Sequence, residues 1–381
     1  MAPAVIDAMS AVLGNLYGNP SSVHGYGQEA KTAIDIARSG IAKLLGAEPT
    51  EITFTSGGSE SINLAIRGTA AALTSSGRRH LVASAIEHEA VHQTLKALSK
   101  QGWSTTLVPV DKTGIVEPSR LAEALTEETG LVSIMHANNE IGTIQPIPEL
   151  VELAHSKGAI FHTDAVQSVG KIPVNVQDLG VDLLSISGHK FNGPKGTGAL
   201  WIKRGSQLQS QITGGRQERN RRAGTENVPA IIGLGAAAKL VLETGQTTRT
   251  AIVALRDRLE TGILREVSGT QRNGDQNRRV GNTSSISFQG IEAEALLIAL
   301  DLQNIAVSTG SACSSGSLEP SHVLRAMGFG HHRTQNSIRF SLGLGTNVDE
   351  VDRVVALLPG LVEQLRSTSN HTMPPETGRR E

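Results

Sequence analysis

The sequence contains very little cysteine, because Cys313 is the only one in 381 residues. One thiol cannot form an intrachain disulfide, and by itself it cannot supply a four-thiolate metal site. These limits exclude a disulfide-stabilised secreted domain and favour a protein of the reducing cytosol.

The sequence also lacks an excess of charge and long apolar runs. The 35 basic residues nearly balance the 36 acidic ones, so neither nucleic acid nor an anionic membrane is expected as a partner. No stretch approaches the roughly 20 apolar residues of a membrane span, and no basic region precedes the first apolar residues. We therefore expect a cytoplasmic protein without an export signal.

The length exceeds the roughly 250 to 300 residues at which a single core stops growing, so two domains are expected. A change to long helical patterns after about residue 230 puts the boundary near residue 245. Residues 1–245 would form a large domain and residues 246–365 a smaller one that carries Cys313. Residues 366–381 are polar, contain two adjacent prolines and predict a flexible tail.

The large domain alternates strand-like and helix-like segments. Apolar residues at helical spacing separate short apolar runs typical of strands, which lie at 52–55, 81–85, 131–135, 159–163, 183–187 and 199–202. This alternation predicts an α/β fold with a mostly parallel sheet covered on both faces. Ligands of such sheets bind beyond the carboxyl ends of the strands.

Three of these strand ends carry candidate chemistry. Lys190 follows a buried strand, where a dry site can leave an amine neutral and able to attack a carbonyl, although Lys195 is a rival. Asp164 also ends a strand, and its carboxylate is predicted to pair with a pyridinium nitrogen; the alternative is that it caps a helix. Residues 54–61 turn through two glycines into a helix and predict a site for one phosphate, with Ser59 adding a hydroxyl; a capping box is the plainer alternative.

The segment around Cys313, residues 308–317, is too small and polar to be core. It follows an apolar run at 305–307 and precedes a predicted helix. The thiol is therefore expected to be exposed and available for chemistry, although a chance surface thiol is the alternative on this segment alone.

Taken together, these segments resemble the cysteine desulfurases, pyridoxal-phosphate enzymes of the aminotransferase-like fold (fold type I), in the group that supplies sulfur for iron–sulfur clusters. The matching segments run in family order and are 18–22, 54–61, 87–88, 138–142, 164–167, 187–190, 222–227, 311–313 and 337–339. The resemblance implies a large domain with a mostly parallel sheet, a smaller α+β domain and pyridoxal 5'-phosphate as cofactor.

The resemblance also implies roles for single residues at the cofactor. Lys190 would hold the cofactor covalently and later move the α proton of the substrate. Asp164 would hold the ring nitrogen and Gln167 the ring oxygen, while His88 would stack on the ring and pass protons. The phosphate would be bound by Ser59, Ser187 and His189.

Residues distant in sequence would complete the site. Thr225 would reach the phosphate of the neighbouring subunit, so that the site would be complete only in a homodimer. Arg339, assisted by Asn139, would clamp the substrate carboxylate with the bidentate geometry of a guanidinium group. Without the family, plainer roles stay open: a satisfied histidine for His88, a turn residue for Thr225 and a surface ion pair for Arg339.

The resemblance also implies a catalytic role for Cys313. Its thiolate would attack the sulfur of L-cysteine, leaving L-alanine and a persulfide that a moving loop carries to a sulfur-acceptor or iron–sulfur scaffold protein. The family also implies that Cys313 is a transient iron–sulfur ligand shared with that partner. Selenocysteine could be a side substrate.

One departure from the family concerns the start of the chain. Family members begin with a short strand and an Asp, Ala, Thr-Thr turn near the substrate, whereas this sequence starts at Met1-Ala2-Pro3. A late start site or a truncated chain would explain the difference. Two alternatives follow: a catalytically weak scaffold for cluster-assembly partners, or another pyridoxal-phosphate lyase or aminotransferase with no use for Cys313.

Overall fold

The structure, a computed structural model, describes residues 1–310 and 320–372, with side chains as far as Thr368. Cys313 lies outside the described residues. The helices are α1 Pro3–Leu13, α2 Gly25–Leu45, α3 Gly58–Leu73, α4 Glu89–Ser99, α5 Pro118–Ala124, α6 Ile147–Ser156, α7 Val176–Leu179, α8 Gln217–Asn220, α9 Val228–Glu266, α10 Ala293–Asp301, α11 His322–Ala326, α12 His331–Gln335 and α13 Val348–Thr372. The strands are β1 Ile52–Thr55, β2 His80–Ser84, β3 Ser104–Val108, β4 Thr129–Ser133, β5 Ile160–Asp164, β6 Leu183–Ser187, β7 Gly198–Ile202, β8 Thr270–Asn273, β9 Thr283–Phe288, β10 Ser308–Thr309 and β11 Ser337–Ser341.

The chain divides into two compact units. Unit 1 consists of residues 1–110, 115–139 and 144–247, and unit 2 of residues 111–114, 140–143 and everything from 248 onward. The division therefore falls inside α9, close to the boundary drawn from the sequence near residue 245. Nothing in the sequence pattern indicates the two four-residue segments that belong to unit 2.

Unit 1 is built on a seven-stranded sheet in the order β1-β7-β6-β5-β4-β2-β3. The pairs β2–β3, β2–β4, β4–β5 and β5–β6 are parallel, and β7 is antiparallel to both β6 and β1. The predicted α/β fold with a mostly parallel sheet is confirmed. Thr55 at the end of β1 and Ser187 at the end of β6 both pair with Gly198, the first residue of β7.

Both faces of this sheet are buried. Val82 and Val132 belong to one hydrophobic cluster with residues of α2, α6 and α9, whereas their neighbours Leu81, Ala83 and Leu131 belong to another with residues of α3 and α4. Successive strand residues point to opposite faces, so the helices of the two clusters cover opposite sides. The six predicted strands occur within two residues of their expected positions. The edge strand β3 was missed, because its Ser-Thr-Thr start is largely exposed and lacks an apolar pattern.

Unit 2 contains a four-stranded antiparallel sheet in the order β10-β11-β9-β8. Its core combines Ile286 and Phe288 of β9 with apolar residues of α9, α10 and α13. The tail predicted from Arg366 was placed too early, because α13 continues to Thr372. Arg366 donates from its guanidinium group to the backbone carbonyls of Gln289 (2.9 Å) and Ser268 (2.8 Å), which holds this part of the helix on unit 2.

One helix of the described part, α9, is long and apolar enough to cross a membrane by length and composition alone. However, 44% of its apolar window is buried inside the structure. Val228, Ile231 and Leu234 pack in the main core of unit 1. We therefore assign α9 as a core helix.

Candidate active site

The candidate site lies in unit 1, where β1, β5 and β6 end. Asp164 is the last residue of β5, and a 3-10 helix, Gly188–Phe191, follows β6 and contains Lys190. A β carbon built at Gly58, the first residue of α3, would lie 3.0 Å from Val166 Cγ2 and 3.4 Å from Ser187 Cβ. The turns that follow all three strands therefore meet at this glycine.

Asp164 has charged neighbours despite its burial. It is only 5% exposed, and its Oδ1 accepts the backbone N–H of Val166 at 2.9 Å. Burial raises the pKa of Asp164, while the neighbouring His88 and Lys190 act in the opposite direction. These three side chains, predicted separately from the sequence, are therefore close enough to interact.

The lysines near the site differ in which pKa values they affect. The pKa of His189 is lowered by burial first, and then by Lys190, Lys195 and Lys171 in decreasing order. Lys190 also acts on Asp164. Lys190 is thus the lysine that acts on the buried carboxyl, whereas Lys195 lies in the turn after it, and both lysines are exposed.

His88 precedes α4 and caps it. Its Nδ1 accepts the backbone N–H of Ala90 at 3.1 Å. A neutral imidazole whose Nδ1 accepts must carry its proton on Nε2. The helix cap therefore fixes which ring nitrogen of His88 can donate.

Glu87 is a further buried acid that the sequence did not single out. It is 0% exposed, and its Oε1 accepts from Ser84 Oγ at 2.5 Å and from the backbone N–H of Met135 at 2.8 Å. Burial raises its pKa to about 8, and the nearby Asp164 acts in the same direction. The available signal was a charged residue three positions after the end of β2, next to the buried Ile86.

The turn between β1 and α3 has the form expected of an anion site. Gly57 has a φ of 153°, which side chains rarely adopt, and it brings the chain directly into α3. The first N–H groups of a helix have no intrahelical partner, so they face outward at its positive end. Beside this turn, Ser187 Oγ lies 3.0 Å from His189 Nδ1, while Ser59 is exposed.

The remaining predicted residues are distributed over both units. Gln167, in unit 1, accepts a hydrogen bond from Lys171 Nζ at its Oε1. Asn139 and the exposed Thr225 also belong to unit 1, whereas Arg339 lies in β11 of unit 2, opposite Ser285 and Ser308. Among the described residues, no group of three or more His, Cys, Asp or Glu side chains could hold a metal ion.

Comparisons with known proteins identify the family and agree with the fold. The model of the class-V aminotransferase family matches residues 1–354. A cysteine desulfurase IscS of Dictyoglomus turgidum is 49% identical over 96% of this chain and 92% of its own length, and one of Methanosarcina thermophila is 48% identical over 96% and 90%. The chain belongs to the cysteine desulfurases. A solved NifS-like protein superimposes on this desulfurase with a TM-score of 0.90 at 37% identity, covering 96% of this chain and 97% of the other.

A second solved structure, described as SspA in complex with cysteine, has a TM-score of 0.79 at 36% identity and covers 90% of this desulfurase and 95% of its own chain. Cysteine desulfurases belong to the class-V aminotransferase family and depend on pyridoxal 5'-phosphate. This cofactor is therefore assigned to the chain as well.

The residues of this desulfurase fit pyridoxal phosphate. Asp164 is a buried carboxyl whose raised pKa would fall again beside a cationic ring nitrogen. The absence of a side chain at Gly58 leaves the amino end of α3 open next to Ser187. Hydroxyl, imidazole and helix N–H groups suit a phosphate, and the neighbouring lysine suits the aldehyde.

Proposed function

We propose that this protein removes the sulfur of L-cysteine, producing L-alanine and a persulfide on Cys313. One observation carries the proposal: Asp164, at the end of β5, is influenced by both Lys190, which follows the neighbouring strand β6, and His88, which follows β2. An amine and an imidazole beside a buried acid are what a pyridine aldehyde cofactor requires.

Each residue around the cofactor would have one binding task. Lys190 would hold it through its amine, and ionised Asp164 would accept the N–H of the ring. Because Gln167 Oε1 is already an acceptor for Lys171, the amide nitrogen of Gln167 would donate to the ring oxygen. The phosphate would be bound by Ser59, Ser187 and His189.

The proton transfers would also be done by residues of this chain. Lys190 would take the α proton of the bound cysteine, and His88, which carries its proton on Nε2, would stack on the ring and relay protons. When bound, pyridoxal phosphate delocalises the electron pair released at the α carbon. Arg339 and Asn139 would hold the substrate carboxylate.

Cys313 would carry out the sulfur transfer. Its thiolate attacks the sulfur of the substrate, an S–S bond forms, and the bond between that sulfur and the β carbon breaks. The electron pair stays with the β carbon, which gains a proton and becomes the methyl group of alanine. The sulfur of Cys313 and the sulfur of the substrate are each oxidised by one electron while the β carbon is reduced by two, so no external oxidant is required.

The partners follow from the fate of the persulfide. We infer a sulfur-acceptor or iron–sulfur scaffold protein, for which Cys313 would also serve as a transient cluster ligand. Thr225 would complete the phosphate site of a second copy of the chain in a homodimer. A cytoplasmic location suits a reactive thiol that must stay reduced.

Mass spectrometry after exposure to L-cysteine tests the function. The peptide that contains Cys313 should gain one sulfur atom, and the assignment is unambiguous because the chain has no other cysteine. Cys313→Ser should keep the absorbance of the bound cofactor and lose the release of alanine. Unchanged turnover by Cys313→Ser in the presence of a reductant would show a different pyridoxal-phosphate lyase, and failure to bind the cofactor would show a scaffold.

A further inference from the structure

The phosphate-binding turn contains an acid that the cofactor chemistry does not use. Glu60 lies in the first turn of α3, next to Ser59. Its Oε2 accepts both the backbone N–H of Ser56 at 2.9 Å and the Ser56 hydroxyl at 2.5 Å. The carboxylate thus fixes the backbone at the start of the turn, but its negative charge opposes the binding of a phosphate.

Arg222 reaches this acid from a distant part of unit 1. Its Nε lies 2.8 Å from Glu60 Oε1 and its Nη2 3.3 Å from Oε2, and the two side chains are 24% and 17% exposed. Burial alone would raise the pKa of Glu60, yet the bonds from Arg222 and Ser56 hold it below its usual value. Glu60 is therefore ionised and charge-paired.

Residues 218–220, which precede Arg222, have a strained backbone and are held in place by a buried ion pair. Glu218, Arg219 and Asn220, which make up most of α8, have φ values of 45°, 56° and 63°, so α8 is an irregular left-handed turn that costs about 1–2 kcal/mol at each of Glu218 and Arg219. The buried Glu218 offsets this cost, because it accepts two bonds of 2.7 Å from Arg38 and one of 2.9 Å from the backbone N–H of Phe54. The same segment therefore holds β1 at Phe54 and α3 at Glu60, on either side of the phosphate-binding turn.

We propose that Arg222 is a positioning residue for the cofactor phosphate, which it serves by neutralising Glu60 while Glu60 holds the turn in shape. The inference rests on the proposed phosphate site. It divides two tasks: Glu60 supplies the hydrogen bonds that order Ser56 and Gly57, and Arg222 supplies the charge that makes this acid compatible with an anion.

The test compares two ligands of the full-length apoprotein, pyridoxal 5'-phosphate and pyridoxal, which lacks the phosphate. Arg222→Met should weaken the affinity for pyridoxal phosphate about tenfold, because a carboxylate then faces the phosphate without its partner. Its affinity for pyridoxal should not change. In the double variant Arg222→Met/Glu60→Gln, the glutamine still accepts from Ser56, so pyridoxal phosphate binding should recover to within about threefold of the original.

Two further variants serve as an independent measurement and as a control. Glu60→Gln alone should bind pyridoxal phosphate at least as tightly as the unmodified protein, which can be measured even if Arg222→Met does not fold. Arg258→Met removes an exposed arginine pair with Asp352 in unit 2 (2.5 and 2.7 Å) and should leave both affinities unchanged.

Equal losses for the two ligands, or a further loss on adding Glu60→Gln, would overturn the role of Arg222 and leave the proposed function intact. If the unmodified protein bound neither ligand, the proposed function would fail along with the inference.

Discussion

Two buried glutamates, one in each unit, differ in charge because they differ in partners. Glu260 of unit 2 accepts from Arg279 at 2.5 and 2.8 Å, from Arg272 at 3.0 Å and from Ser284 at 2.7 Å. Burial opposes its ionisation, but these donors lower its pKa to about 2. Glu87 of unit 1 accepts from a serine and a backbone N–H, and burial raises its pKa to about 8.

The difference shows how the two units use buried charge. In unit 2 the acid is neutralised by arginines of its own chain, so the network serves the fold. In unit 1, Glu87 and Asp164 lie together in a buried region where ionisation is unfavourable, and Lys190 and His88 only partly offset this at Asp164. Sites that bind ligands often give up stability in this way.

The largest effect is expected from breaking the network of unit 2. Glu260→Gln leaves Arg272 and Arg279 without their shared carboxylate, so the free energy of unfolding should fall by about 3–5 kcal/mol. Chemical denaturation of the apoprotein measures it, with Glu87→Gln as the matched control that should cost nothing near neutral pH. If Glu260→Gln lost less than about 1 kcal/mol, the arginine pairs of Glu260 would not stabilise the fold, and the proposed difference from Glu87 would be wrong.

The next effect concerns Asp164 and separates activity from stability. Asp164→Asn should lower the turnover of cysteine by about 100- to 1000-fold, because the ring nitrogen loses its charged partner. Without cofactor the same variant should be at least as stable as the original at neutral pH, since the fold disfavours the ionised form of Asp164. A variant that lost stability together with activity would contradict this account.

The pH dependence of stability sharpens the comparison at Glu87. The unfolded chain releases this proton near pH 4.5 and the folded protein near pH 8, so the folded state binds the extra proton between these values. Stability should therefore fall as pH rises through this window, by up to roughly 1.4 kcal/mol per pH unit, and should level off above it.

Denaturation of the apoprotein and of Glu87→Gln over this pH range tests the assignment. Because Asp164 lies close by and contributes a slope of the same sign, the difference between the two curves isolates Glu87. Parallel curves would mean that Glu87 is already ionised at low pH.

The smallest effect is expected at Gly58. A β carbon there would lie 3.0 Å from Val166 Cγ2, so Gly58→Ala should shift the turn slightly and weaken pyridoxal phosphate binding by about threefold, or less than 1 kcal/mol. Gly14→Ala is a matched control, since no atom lies within 4 Å of the added carbon. Equal affinity in the two variants would place the phosphate elsewhere.

The sequence predicts the parts of this molecule that depend on local pattern. Apolar runs such as residues 183–187 fix the position of β6, and the residue types after β1, β5 and β6 indicate the site at their ends. The strand β3 is not predicted by this pattern, because its exposed Ser-Thr-Thr start is not apolar. Arg366, where the tail was predicted to begin, continues α13 and bonds to Gln289 and Ser268, which are far away in sequence.

Charge states could not be predicted from the sequence, because distant residues set them. Glu60 and Arg222 are 162 residues apart, and Glu87 differs from Glu260 only through what surrounds each in the fold. The roles of Arg339 and Thr225 stay predictions, and Cys313 lies outside the described residues. The family resemblance, confirmed by the comparisons, is what connects these residues to the site.

The antiparallel strand β7 lies between the two strands that lead into the turns of the candidate site. Since β1 and β6 both pair with β7, the turn after β1 and the turn with Lys190 leave the sheet about two strand spacings, or roughly 10 Å, apart, and they come together at Gly58. A side chain at Gly198 would come within 2.6 Å of the Ile186 carbonyl oxygen and 2.8 Å of the Gly57 backbone. Backbone hydrogen bonding, which hardly depends on sequence, thus fixes where the two turns start, and the glycines at 58 and 198 let them approach each other.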